Sequence, residues 1–153
     1  ISLAAGCFGL PHIDNLFQGC LDIEADDSFI DLAGLQVSAH FLIRRDGEVV
    51  QYVSCDDRAW HAGVSSFNQR TGCNDFAIGI EMEGTDSSGY TDVQYEQLTL
   101  LTLALMAQYP MITLANIVGH CDIAPGRKTD PGDSFDWVRY KQAIIAATVA
   151  ATT

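Results

Sequence analysis

The dipeptide Asp46-Gly47 is the strongest single constraint on how this chain folds. It sits in Arg45-Asp46-Gly47-Glu48, between the apolar run Phe41-Leu42-Ile43 and a second run of Val49, Val50, Tyr52 and Val53. Asp-Gly tolerates the positive φ that tight hairpin turns demand, so the segment Val37 to Val53 is predicted to be a β-hairpin. Further along, Phe76 to Met82 reads as a buried strand in which Ala77, Ile78, Gly79 and Ile80 lead to Glu81 at its end. Ile117 and Val118 form a short strand running into His120. Two longer helices alternate with these strands. Thr91 followed three residues later by Gln94 is a capping box, and Val93, Leu98, Leu101 and Leu105 continue near helical spacing until Pro110 stops the helix. A last helix is expected from about Phe135 to Ala150, with Val138, Ile144 and Ile145 apolar. Short helical turns are expected around Ile13 to Gln18 and Phe29 to Ala33, and residues 121–134 are expected to be a loop. Strands and helices mixed in this way predict an α/β or α+β fold, a sheet packed by helices.

Composition narrows the function classes. The chain has 153 residues, the size of one domain, and carries 8 basic against 20 acidic residues for a net charge of -12. Phosphate binding is driven by Lys and Arg, so this balance argues against nucleic acid as a partner, and equally against an anionic membrane surface. No apolar run approaches the ~20 residues that span a bilayer. The five cysteines, Cys7, Cys20, Cys55, Cys73 and Cys121, are odd in number and irregularly spaced. That pattern predicts buried or free thiols in a reducing, cytoplasmic setting rather than a disulfide framework. The chain begins at Ile1 rather than Met, which leaves room for a processed or trimmed N-terminus.

Four histidines are available for chemistry: His12, His40, His61 and His120. His120 follows a short strand, and Asp130 lies ten residues on. If the loop between them folds back, an imidazole nitrogen and a carboxylate oxygen reach one ion, as in catalytic zinc sites that use three protein ligands and keep a position open. On spacing alone a loop-exposed His120 and an Asp130 that caps the last helix stand ahead of the metal reading. Lys128 is a cation suited to an oxyanion beside such a metal, or a solvated surface lysine. Glu81 and Glu83 fall on one face of a strand by period-two alternation, and either suits general-base work on water or pairing with Arg. Trp60 and His61 precede Ala62-Gly63 in an irregular stretch from Ser54 to Asp75, where a tryptophan suits a sugar or peptide cleft, or the core. His40 in the hairpin reads as a core histidine or one that supports a site.

Taken in order, several blocks carry a resemblance. Val37-Ser38-Ala39-His40, Ile43-Arg44-Arg45-Asp46-Gly47 and Trp60-His61-Ala62-Gly63 are followed by Cys73-Asn74-Asp75-Phe76 and Ile78-Gly79-Ile80-Glu81. Gly119-His120-Cys121-Asp122-Ile123-Ala124-Pro125 and Arg127-Lys128-Thr129-Asp130-Pro131-Gly132 close the series. The chain resembles the type 2 N-acetylmuramoyl-L-alanine amidases, and among them the cytosolic 1,6-anhydro-N-acetylmuramyl-L-alanine amidases, over essentially its whole length. The resemblance implies one amidase domain over residues 1–153 with a central mixed β-sheet flanked by helices. It implies a monomer with one catalytic Zn2+, acting on an anhydro-muropeptide or muropeptide in cell-wall recycling. The bond cut is the amide between the lactyl group of the muramic sugar and L-alanine of the peptide stem. His120 and Asp130 match two of the three zinc ligands, Glu81 the carboxylate that handles protons from the attacking water, and Lys128 the lysine that stabilises the oxyanion. Trp60, His61, Asn74 and Arg127 fall in blocks that line the substrate cleft.

Three departures accompany the resemblance. The family's first zinc histidine ends the first core strand in a His-Asn-Ile-Ser-like block, and this chain starts at Ile1-Ser2. The third ligand is therefore expected just upstream of Ile1, the first core strand is expected to be missing, and His12 is the nearest histidine available as a substitute. Ala39 stands where some relatives carry Tyr, and Gln36 where the cytosolic type often carries Arg. An incomplete zinc site also suits a second class of protein, a non-catalytic muropeptide-binding module.

Overall fold

A computed structural model describes residues 1–6, 12–17 and 37–151. The hairpin is present: β2 (Phe41–Ile43) pairs antiparallel with β3 (Val49–Gln51). Its turn follows the sequence chemistry, with Gly47 at φ 90° and its N–H donating to Arg44 O at 3.0 Å. The other strands are β1 (Ser2–Gly6), the short hairpin β4 (Ser66–Phe67) and β5 (Arg70–Thr71), β6 (Gly79–Glu83) and β7 (Val118–Gly119). Five of them form a mixed sheet in the order β3-β2-β6-β1-β7, with β2, β6, β1 and β7 parallel.

The first core strand, expected to be missing, is present. The sheet does not lack its first strand, because Ser2–Gly6 lies between β6 and β7, in register with Gly79–Glu83 on one side and Val118–Gly119 on the other. A gap at that place would leave two facing rows of backbone N–H and C=O groups without partners, which a buried sheet does not tolerate. A second difference concerns Glu81. It is the middle residue of β6, which starts three residues later than the apolar run and continues to Glu83.

Alternation along the strands assigns the two faces. Phe41, Ile43, Ile80 and Met82 join the main core with Tyr95, Leu98 and Leu105 of α2 (Asp92–Gln108) and Tyr140 and Ile144 of α4 (Trp137–Ala150). Fully burying an aliphatic side chain of this kind stabilises by roughly 1.5–3 kcal/mol. Leu42 points the other way and packs with Phe17 of α1 (His12–Phe17) and Ala39. Asp14 of α1 bonds Arg44 at 2.7 and 2.8 Å and also takes the Tyr52 hydroxyl, which ties this helix to the sheet. Glu81, in register with Leu42 and Ala4, shares the face of Leu42 and not that of the main core.

The capping box forms as read: Thr91 Oγ1 accepts from Gln94 N, and Gln94 Oε1 accepts from Thr91 N. Asp136, and not Asp130, caps the last helix by accepting from Arg139 N at 2.9 Å. Residues 120–123 are not loop but a single helical turn, α3 (His120–Ile123). Among the described residues no helix is long and apolar enough to cross a membrane. The thiols of Cys55, Cys73 and Cys121 are free. Cys7, Cys20, Gln36 and the turn expected at Phe29 to Ala33 lie outside the described residues, as does the side chain of His12.

Candidate active site

His120 emerges from the C-terminal end of β7 as the first residue of α3, and it is buried. Asp130 returns to it because the backbone folds back, with Cys121 N donating to Asp130 O at 2.9 Å. His120 Nδ1 then stands 3.0 Å from Asp130 Oδ2. The returning segment is held from outside as well: the Tyr90 hydroxyl donates to Pro131 O at 2.9 Å, and the Thr129 hydroxyl donates to the Asp86 carboxylate.

The other ring nitrogen decides the tautomer. His120 Nε2 lies 3.1 Å from Ala62 O, and a carbonyl can only accept, so Nε2 carries the hydrogen. In a neutral ring Nδ1 is then a bare lone pair facing a carboxylate oxygen. Two acceptors at that distance repel unless a cation, a proton or a metal ion, joins them. Burial pushes the Asp130 carboxyl up, but the hydrogen bond and charge of His120, together with Lys128, outweigh it and hold Asp130 below the ordinary carboxylate value.

Glu81 feels the charges of both Asp130 and Lys128. Burial on the sheet face raises its carboxyl, the Asp130 charge raises it further and Lys128 opposes both, leaving it pushed up to about 8. A carboxyl poised near neutral pH is suited to taking and giving a proton during turnover. Lys128 is exposed, so its ammonium is free to meet a substrate oxygen while its charge still reaches Glu81 and Asp130. Glu83, on the same strand face, is committed elsewhere: its Oε2 accepts from Arg45 N at 2.9 Å.

The family model for N-acetylmuramoyl-L-alanine amidase (Amidase_2) matches residues 11–133, which span the hairpin, Glu81, His120, Lys128 and Asp130. The chain belongs to this amidase family. It is 60% identical over 144 residues to the 1,6-anhydro-N-acetylmuramyl-L-alanine amidase AmpD of Citrobacter freundii, covering 94% of this chain and 76% of that protein. The crystal structure of a selenomethionine derivative of AmpD superposes with a TM-score of 0.90 at 56% identity, covering 94% of this chain and 82% of that one. AmpDh3 from Pseudomonas aeruginosa, solved in complex with anhydromuramic pentapeptide, gives a TM-score of 0.75 at 29% identity, covering 93% of this chain and 58% of that one.

Against this family background the remaining sequence candidates separate by environment. Trp60 is 45% exposed, with the Arg58 guanidinium 3.8 Å from its ring centroid and Arg58 itself held by Asp75 at 2.9 Å. Its backbone is clamped to Ser38 through a bond in each direction. His61 is buried. Its Nε2 donates to Ala77 O at 3.1 Å, its ring lies edge-on to His40, and burial first, then the charges of His40 and His120, lower it to about 4. His40 accepts from Gly79 N through Nδ1 and donates through Nε2 to Asp57 O, which makes it a structural histidine. Asn74 is buried and spends its side-chain oxygen on two backbone donors, His61 N at 3.0 Å and Ala62 N at 2.7 Å. Arg127 directs its guanidinium at Ala62 O (2.6 Å) and Val64 O (2.8 and 3.2 Å).

Sequence reasoning missed the Ala62 carbonyl and the Tyr90 and Asp86 anchors. A backbone carbonyl carries no side-chain signal, and Tyr90 and Asp86 sit about forty residues from the segment they hold. The donor chemistry of His120 and Asp130 fits zinc, an imidazole nitrogen and a carboxylate oxygen facing each other across a site that calls for a cation. Among the described residues no third His, Cys, Asp or Glu completes a metal cluster with them, and β1 beside the site contains only Ser2, Leu3, Ala4, Ala5 and Gly6.

Proposed function

We propose that this protein hydrolyses the amide between the lactyl group of a (1,6-anhydro-)N-acetylmuramic acid and L-alanine of the attached peptide stem. In this reading it acts as a monomeric, zinc-dependent amidase of the cytoplasm in cell-wall recycling. The observation that carries the reading is the buried His120 Nδ1 meeting Asp130 Oδ2 at 3.0 Å, with the charges of Asp130 and Lys128 both acting on the buried Glu81 carboxyl. The family membership and the muropeptide substrates named for its relatives support it, and the free thiols of the described cysteines suit a reducing compartment.

His120 Nδ1 and the Asp130 carboxylate would hold the zinc. When bound, zinc supplies a Lewis acid for the scissile carbonyl and lowers the pKa of water. Glu81 in its charged form accepts a proton from the attacking water and, now neutral, delivers it to the departing nitrogen of L-alanine as the C–N bond breaks. The Lys128 ammonium faces the oxygen that becomes negative as the carbonyl turns tetrahedral. The products are the free lactyl carboxylate and a peptide with a free amino end.

The test is release of stem peptide from an anhydro-muropeptide by the zinc-loaded protein, sensitive to chelator. Full activity in both Glu81→Ala and Lys128→Ala would overturn the mechanism. A second reading, a muropeptide-binding module without catalysis, is favoured by the two-donor metal pair among the described residues. Tight muropeptide binding with no hydrolysis at saturating zinc would establish it.

A further inference from the structure

We infer that Arg127 and Asn74 are positioning residues for His120, acting through the backbone of Ala62, and are not contacts to the substrate. The inference rests on the zinc reading above, and it concerns how the chain presents Nδ1 of His120 to the metal.

Both backbone polar groups of Ala62 are held. Its N–H donates to Asn74 Oδ1 at 2.7 Å, and its carbonyl accepts from His120 Nε2 at 3.1 Å and from Arg127 Nη2 at 2.6 Å. Ala62 is fully buried, so water does not compete for these bonds. Arg127 Nη2 also lies 3.5 Å from His120 Nε2, so two N–H groups converge on one oxygen. That oxygen fixes the hydrogen of His120 on Nε2 and leaves Nδ1 free as the donor atom facing Asp130. A metal-binding histidine is commonly oriented by a carbonyl or carboxylate on its other nitrogen, and loss of such a partner lowers metal affinity about 10–100-fold.

Arg127 does more than neutralise charge at this place. Its Nε and Nη2 reach Val64 O as well, so the planar fork bridges the carbonyls on either side of Gly63. Gly63 lies at φ 57°, and a Cβ there would stand 3.3 Å from Arg127 Nη2. The loop is shaped to bring its carbonyls onto the guanidinium. Asn74 fixes the same loop from beneath by accepting from His61 N and Ala62 N with one oxygen. The Asn74 side-chain oxygen and the Arg127 Nε and Nη2 groups are thereby all engaged on the backbone of this one loop.

The experiment compares zinc dissociation constants, by chelator competition, with kcat and KM on an anhydro-muropeptide for wild type, Arg127→Ala, Arg127→Lys, Asn74→Ala and Asn74→Asp. The expected result is zinc binding weakened about 10–100-fold in Arg127→Ala and Asn74→Ala, with KM at saturating zinc near wild type. Asn74→Asp, which keeps an acceptor oxygen, is expected to recover most of the affinity, and Arg127→Lys, which lacks the fork, only part. Zinc affinity unchanged in both alanine variants while KM rises would make these residues substrate contacts and overturn the inference. A fall in melting temperature of the metal-free variants with zinc affinity intact would reduce them to structural residues and overturn it equally. A wild-type protein that binds no zinc would sink the functional reading itself, an outcome separate from either of these.

Discussion

His120 Nδ1 and Asp130 Oδ2, ten residues apart in the chain, meet at 3.0 Å while the opposite ring nitrogen is committed to Ala62 O. This arrangement sets a ring nitrogen against a carboxylate in a buried place, and Glu81 feels the Asp130 charge through the same low-dielectric interior. The buried groups around it should therefore dominate how stability varies with pH.

Glu81 sets the alkaline side. Its folded-state pKa is raised from 4.5 to about 8, so between those values the folded protein holds a proton that the unfolded chain has released. Its contribution is complete below pH 4.5 and is lost progressively as pH rises to 8. Urea unfolding of the metal-free protein should show stability falling across this window, and Glu81→Gln should remove the slope. An unchanged slope in the variant would mean that Glu81 is ionised throughout.

His61 sets the acid side with the opposite sign. Its pKa is lowered from 6.5 to about 4, so the unfolded chain takes up a proton that the folded state refuses. Stability is complete above pH 6.5 and declines as pH falls toward 4, and His40, also lowered by burial, adds to the same limb. Between pH 4.5 and 6.5 the His61 and Glu81 slopes oppose each other, so wild type should be flatter there than either His61→Gln or Glu81→Gln. Two variants that both reproduce the wild-type curve would contradict the assignment.

Gly79 opens β6 directly against the His61 ring, where an added Cβ would overlap its Cγ, Nδ1 and Cβ. The ring is pinned by Ala77 O and has no room to retreat. Gly79→Ala is expected to destabilise by about 1–3 kcal/mol as an overpacked core, measured by denaturant midpoint at constant m-value.

Local chemistry made much of the fold legible. Asp46-Gly47 and the Thr91/Gln94 box act within a few residues of themselves, so the hairpin and the start of α2 follow from sequence with little help from context. The strand Ser2–Gly6 is the opposite case. Ser-Leu-Ala-Ala-Gly has little β propensity, and it is a strand because β6 and β7 both need a partner there. The site was legible only in part for the same reason. His120, Asp130, Glu81 and Lys128 stand in recognisable blocks, whereas the Ala62 carbonyl that orients His120 exists only once residues 62 and 120 are brought together. Local spacing also fits Asp130 as a helix cap, but the chain uses Asp136 for that.

Thr91 links two elements. Its hydroxyl accepts from Gln94 N and donates to Arg45 O at 2.9 Å, joining the α2 start to the hairpin turn. Thr91→Ala should lower stability by about 1 kcal/mol in thermal or denaturant unfolding, with hydrolytic activity retained.

Lys128 offers the sharpest separation of mechanism from structure. The side chain is exposed, so Lys128→Ala should leave the fold intact, and any loss of activity reports on chemistry. If its ammonium stabilises the oxyanion, kcat should fall about 10²–10³-fold with KM little changed, because the interaction exists only once charge develops on the substrate oxygen. A second readout follows from its field. Lys128 lowers the Glu81 pKa against burial and Asp130, so its removal should push that carboxyl above about 8. The loss of stability of metal-free protein with rising pH should then extend to more alkaline pH in Lys128→Ala than in wild type. A variant with wild-type kcat and an unmoved stability curve would place the Lys128 charge too far from Glu81 and from the reacting carbonyl to act on either.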